Sequence, residues 1–230
     1  MIAENLAAVR KKLAESCTRR TTADKDGPVE LIAVTKNHGI AAMREAIAAG
    51  VTTVGENRVQ EAQGKYEELH DLVKWHLIGH LQTNKAAQAV KMFDLIHSVD
   101  SERLLAAIER AAAKLGKRQD ILLQVNLARE ESKSGIFREE LPELIEKAVR
   151  LEHIRLCGLM CIAPKCDDAE ECRPLFREMY KIFRQTQAME LPGADIRYLS
   201  MGMTNDYHIA VEEGANMVRV GTAIFGARRY

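Results

Sequence analysis

Eight short apolar runs recur along this chain of 230 residues, each followed by a polar or glycine-bearing break and then an amphipathic segment. They are LIAVT (31–35), TTVG (52–55), WHLIG (75–79), LIHSV (95–99), ILLQVNL (121–127), RLCGLM (155–160), RYLSMG (197–202) and MVRVG (217–221). Runs apolar along nearly their whole length predict strands covered on both faces, as in a parallel sheet. The segments between them carry helical spacing, such as Leu104, Leu105, Ile108 and Ala112, or Leu141, Leu144, Ile145, Ala148 and Val149. Ile2, Leu6, Val9 and Leu13 add a helix ahead of the first strand, ended by the loop from Asp24 to Pro28. Eight such units, in a chain somewhat shorter than the usual ~250 residues, fit a closed (β/α)8 TIM barrel with an extra N-terminal helix. The expected organisation is one domain over residues 1–230. An open doubly wound sheet is the competing α/β arrangement, but it gives no reason for eight regular units.

Composition removes several classes of function. Lys and Arg number 33 and Asp and Glu 33, so no global field recruits nucleic acid or an anionic membrane. The Arg19-Arg20 and Arg228-Arg229 pairs read as solvated ends. No apolar stretch is long enough to span a bilayer. Charges at Glu4, Arg10, Lys11 and Lys12 interrupt the N-terminal apolar pattern, so no signal peptide is expected. The five cysteines are odd in number, and a reduced, cytoplasmic setting follows. Cys157, Cys161, Cys166 and Cys172 lack a paired CxxC, so no metal site is assigned to them.

In a (β/α)8 barrel, chemistry sits at the C-terminal ends of the strands, and phosphate is commonly gripped after strands seven and eight. The first strand ends in Thr35-Lys36. A lysine with its stem buried at the barrel mouth has a lowered pKa and is prepared to attack a carbonyl; a strand-end lysine that merely reaches into water is the ordinary alternative. After strand seven stands Ser200-Met201-Gly202-Met203-Thr204, and after strand eight Gly221-Thr222 opens a short helix whose N–H groups suit an anion. Ordinary turn chemistry would supply the same residue types. Arg219, two residues before Gly221, faces the interior by alternation and needs a partner there, an interior carboxylate being the usual one. Asn57 follows strand two, and His76 and His80 flank strand three, read as packed or hydrogen-bonded histidines rather than a zinc pair. The run Glu131 to Gly135 is a polar loop placed to fold over the mouth. Amine, phosphate grip and interior arginine describe a site for an aldehyde bearing a phosphate, which fits pyridoxal phosphate and a sugar phosphate alike.

Segments LIAVTK (31–36), GENRVQEA (55–62), WHLIGHLQTNK (75–85), SKSGI (132–136), GLM (158–160), LSMGMT (199–204) and RVGTAIFGAR (219–228) give the chain a resemblance to the pyridoxal phosphate homeostasis protein family. These proteins resemble the barrel domain of alanine racemase, and the match spans essentially the whole chain. The resemblance implies pyridoxal 5'-phosphate held as a Schiff base on Lys36. It implies phosphate contacts from Ser200, Gly221 and Thr222, a pyridine nitrogen facing Arg219, and Asn57 beside the cofactor. Thr204 stands where the family usually has serine, and its hydroxyl keeps the phosphate contact.

Arginine has no accessible proton to give the ring nitrogen, so the electron sink is weaker than beside an acidic partner. Racemisation also needs a second base on the opposite face of the substrate, and no second domain is in view to supply it. The expected role is therefore a carrier in vitamin B6 homeostasis, monomeric and not an enzyme. It would store the cofactor or deliver it to the apo-enzymes of other pyridoxal-phosphate enzymes. A low-activity amino-acid racemase using Tyr207 or His208 is the first alternative, and a Schiff-base aldolase acting on a sugar phosphate the second.

Overall fold

A strand with both faces apolar is stable only when side chains cover it on either side, and the chain meets that demand by closing the sheet on itself. The computed structural model describes residues 1–22, 27–130 and 133–226. Asp24 to Asp26, Glu131, Ser132 and the Arg228-Arg229 pair fall outside the described residues. The strands are β1 (Glu30–Val34), β2 (Thr53–Glu56), β3 (Lys74–Leu77), β4 (Leu95–Val99), β5 (Gln119–Val125), β6 (Ile154–Cys161), β7 (Tyr198–Met203) and β8 (Met217–Val220). They run parallel in sequence order, and β8 pairs with β1 through Glu30 beside Met217 and Ala33 beside Val220, which closes the barrel. The expected TIM barrel is the architecture found, with an N-terminal helix ahead of it.

The helices are α1 (Ile2–Thr18), α2 (Ile40–Ala48), α3 (Val59–Leu69), α4 (Ala86–Met92), α5 (Glu102–Lys114), α6 (Leu141–Val149), α7 (Arg173–Gln187), α8 (Tyr207–Glu212) and α9 (Thr222–Phe225). Their apolar stripes bury Leu105, Ile108, Ile145, Phe176 and Met179 against the outward face of the sheet, in one continuous shell of core. The barrel interior is a separate and smaller cluster, built from Ile32, Leu95, Leu122, Cys157, Met160 and Met217. Above that plug the inward positions turn polar. Alternation along β4 and β8 places His97 over Leu95 and Arg219 over Met217, one pleat nearer the mouth.

α1 packs on α2, α8 and α9. Arg20 just beyond it corrects the reading of a solvated pair. It is buried, and its guanidinium donates to the carbonyls of Val211, at 2.9 Å, and of Ala215 and Gly27. Carbonyls left over at the end of α8 attract a cation, which a count of arginines does not reveal. Arg19 does reach the surface and pairs with Glu212 at 2.8 Å.

Candidate functional site

Lys36 sits one residue past β1 in a turn fastened from beneath. Thr35 is buried and donates its hydroxyl to Glu56 Oε1 at 2.5 Å. Lys65 of α3 donates to the Thr35 carbonyl at 2.9 Å and to Glu56 and Glu61 at 2.7 Å each. Glu61 also accepts the backbone N–H of Asn37, which holds a left-handed φ of 63°. Burial pushes the Glu56 carboxyl above its ordinary pKa, against the pull of Lys65. The residues on either side of Lys36 are thus fixed by one ion network between β2 and α3, and the half-buried lysine has its backbone direction set for it.

Across the mouth, β7 and β8 end in two loops tied to each other. Gly202 holds φ 91°, and a Cβ there would lie 2.6 Å from Ala210 Cβ and 2.8 Å from Tyr207 Cα, so only glycine lets α8 fold back this closely. Asp206 then ties the turn by accepting the Met203 N–H at 2.6 Å. Gly221 donates its N–H to the Thr204 hydroxyl at 3.3 Å and joins the loops. A side chain at 221 would press on Val34 of β1 at 3.2 Å, so this junction too runs close to the lysine strand. α9 starts immediately afterwards with Thr222, its first N–H groups directed away from the helix.

Arg219 forms the floor between the two sides. It is buried, and burial lowers its pKa from the ordinary guanidinium value. Among the described residues its hydrogen-bonded partners are not carboxylates but the Ser200 hydroxyl, at 2.5 Å, and the Cys161 carbonyl, at 2.8 Å. Ser200 Oγ lies 3.0 Å from His97 Nδ1, and His97 Nε2 lies 3.1 Å from His76 Nδ1. Since Ser200 accepts from the arginine, its own proton goes to His97 Nδ1, which leaves His97 Nε2–H to donate to His76. Burial lowers His76 to about 3 and drives His97 well below its ordinary value, so the chain is neutral beyond Arg219.

One pocket of about 530 Å³ brings together Lys36, Thr204, Arg219, Gly221 and Thr222. Ser200 does not line it; fully buried, it lies below the floor with its hydroxyl shared between Arg219 and His97. Asn57, just after β2, does not line it either, and its Oδ1 is buried with no hydrogen-bond partner among the described residues. Among the wall residues that sequence reasoning did not assign to the site are His38, stacked on Phe225 with ring centroids 4.6 Å apart, Lys133 and Lys165. Lys133 falls in the polar run expected to fold over the mouth, so a signal for it existed. Lys165 follows β6 in a loop with no pattern to read. Among the described residues no group of three or more His, Cys, Asp or Glu side chains is placed to hold a metal, and no helix is long and apolar enough to cross a membrane.

Comparison with known proteins places this geometry in a lineage. The family described as alanine racemase, N-terminal domain, matches residues 4–229. The pyridoxal phosphate homeostasis protein of Aquifex aeolicus is 38% identical, the match covering 99% of this chain and 98% of that one. Among solved structures, PipY of Synechococcus elongatus PCC7942 is 44% identical with a TM-score of 0.84, over 98% of this chain and all of that one. A second structure of PipY, with PLP bound, gives 0.81 at 43% identity. Alanine racemase from Streptomyces coelicolor shares the fold, with a TM-score of 0.72 at 22% identity over 97% of this chain and 59% of that one. On the full-length match, the chain belongs to the pyridoxal phosphate homeostasis protein family, built on the alanine racemase N-terminal domain.

Proposed function

We propose that this protein binds pyridoxal 5'-phosphate as a Schiff base on Lys36 and serves to store and deliver it, without robust turnover of amino acids. One observation carries the reading. A single pocket sets the amine of one strand end opposite two loops rich in N–H and hydroxyl groups, with a buried arginine between them. The donor set fits the group. Lys36 meets an aldehyde, and Thr204, Gly221 and Thr222 suit a phosphate. Arg219 offers a donor N–H, not an exchangeable acid, to a ring nitrogen. Lys133 and Lys165 add positive charge to the wall, which favours a dianionic ester. The volume lies in the range usual for small-molecule sites. Bound pyridoxal phosphate supplies an electron sink; the arginine leaves that sink weak.

The placement of Tyr207 and His208 favours the carrier over the racemase. The Tyr207 ring is buried beneath Lys12 of α1, whose Nζ lies 5.7 Å from the ring centroid, and neither residue lines the pocket. Burial also lowers the His208 pKa. A second base for the far face of a substrate carbon must stand in the pocket, and these two do not. We further propose a cytoplasmic monomer whose recipients are pyridoxal-phosphate apo-enzymes.

Borohydride reduction of the loaded protein, followed by intact mass and peptide mapping, tests the binding mode. A single adduct on Lys36 is expected; an adduct on Lys133 or Lys165, which share the pocket, would overturn the assignment. Mixing loaded protein with an unrelated apo-enzyme should restore that enzyme's activity. Turnover of an amino acid that is lost in both Lys36→Ala and Tyr207→Phe would replace the carrier with the racemase.

A further inference from the structure

Two of the five cysteines stand in the wall of the same pocket and touch each other. Cys166 lies half-buried on the loop that leaves β6. Cys172 ends the short 3₁₀ turn Ala169–Cys172 ahead of α7 and is buried. Its thiol donates toward the Cys166 sulfur at 3.5 Å, with the Pro164 carbonyl at 3.7 Å as the other acceptor. Ordinary packing explains Cys172, which belongs to the core. Cys166 packs only partly against that core, and its sulfur, in contact with the first, lines the pocket beside Lys165 together with Lys36 and Lys133. Partly open, electropositive surroundings are those in which a cysteine attacks, whereas a buried thiol waits for a partner. Burial pushes the Cys172 thiol up to about 12, in keeping with the waiting role.

We infer that Cys166 and Cys172 form a reversible disulfide when a hydroperoxide enters the empty pocket, and that a ligand in the pocket shields them. The Cys166 sulfur attacks the peroxide, whose O–O bond breaks; a sulfenic acid forms and water or an alcohol leaves. The Cys172 sulfur then attacks that sulfur, the S–S bond forms, and the S–O bond breaks with the hydroxyl leaving as water on the thiol's proton. Two thiols give up two electrons and two protons, and the peroxide takes them. Sulfurs in a disulfide stand about 2 Å apart, so a pair already at 3.5 Å needs only a small shift of the loop. The bond would tie the pocket wall after β6 to the start of α7. The shielding half of the inference rests on the pocket holding pyridoxal phosphate; the disulfide itself does not.

Ligand-free protein treated with hydrogen peroxide, alkylated and cut with trypsin gives one peptide, residues 166–177, that contains both cysteines. It should appear unalkylated and lighter by two hydrogens, revert with dithiothreitol, and be lost in Cys166→Ser, an opening-side change that leaves the core intact. Protein loaded with pyridoxal phosphate to about nine sites in ten, checked by visible absorbance, should oxidise about tenfold more slowly, since only the open fraction reacts. Full alkylation of the peptide after peroxide, or oxidation of Cys166 alone to higher acids, overturns the pair. Equal rates in loaded and empty protein overturn the shielding. Failure of the protein to take up any cofactor would sink the proposed function while the ligand-free arm still reads the disulfide.

Discussion

Ser200 and Thr222 divide two tasks that a list of hydroxyls near a phosphate would run together. Thr222 opens α9 on the pocket wall, whereas Ser200 is spent on Arg219 and His97 beneath it. Removing the hydroxyls of Thr204 and Thr222 together should weaken retention of pyridoxal phosphate about tenfold or more, with phosphate-free pyridoxal nearly unaffected. Equal losses for both compounds, measured by equilibrium dialysis, would take the phosphate away from these loops. Ser200→Ala should act on pyridoxal and its phosphate alike, shift the visible absorbance, and cost about 1–3 kcal/mol of stability by stranding a buried guanidinium N–H. An unmoved spectrum in a well-folded variant would detach Ser200 from the ring side of the pocket. That Lys36, Arg219, Gly221 and Thr222 would meet at the barrel mouth was legible because strand ends and alternation are local properties of sequence. The engagement of Ser200 was not, since it depends on His97, a hundred residues away, reaching the same level of the barrel interior.

Between β2 and α3 the fold invests a buried charge network in holding one turn. Lys65→Met would leave Glu56 without its cation in a layer closed to water, an effect of about 3–5 kcal/mol. Urea unfolding should show that loss, and pairing the change with Glu56→Gln should recover part of it. A loss below about 1 kcal/mol for Lys65→Met would mean the network is solvated and does not brace the Lys36 turn. All eight strands were readable as apolar runs, and their observed ends fall within two residues of the runs. The loops after β5 and β6, which bring Lys133 and Lys165 to the wall, carry no periodicity, so their path is set by what they pack on rather than by their own residues. Glu61 and Lys65 stand four apart on α3, but the burial that aims the pair at Glu56 is tertiary, and no local pattern announces it.

For the molecule as a whole, the neutral histidines inside the barrel fix a dependence on acid. His76 is lowered from 6.5 to about 3 and His97 is lowered as well, so the folded chain leaves both unprotonated where the unfolded chain binds protons. Their contribution is fully present above about pH 6.5 and is lost as pH falls below it, for His76 toward about 3, at up to about 1.4 kcal/mol per pH unit for each. The raised carboxyls of Glu56 and Asp206 act in the opposite sense and offset part of it. Unfolding midpoints from about pH 7 to about pH 5 should therefore drop, and His97→Gln should flatten that slope by about one proton. Identical slopes would mean His97 is charged in the folded state. The register of β8 against β1 has a further consequence in the order of synthesis. Lys36 leaves the ribosome well before the loops that face it, so under the proposed function a growing chain carries the amine with nothing opposite to retain an aldehyde. Only when β8 zips to β1 does the proposed trap exist, and whatever then spans the two becomes a rivet across the seam: β8 could not part from β1 without letting it go.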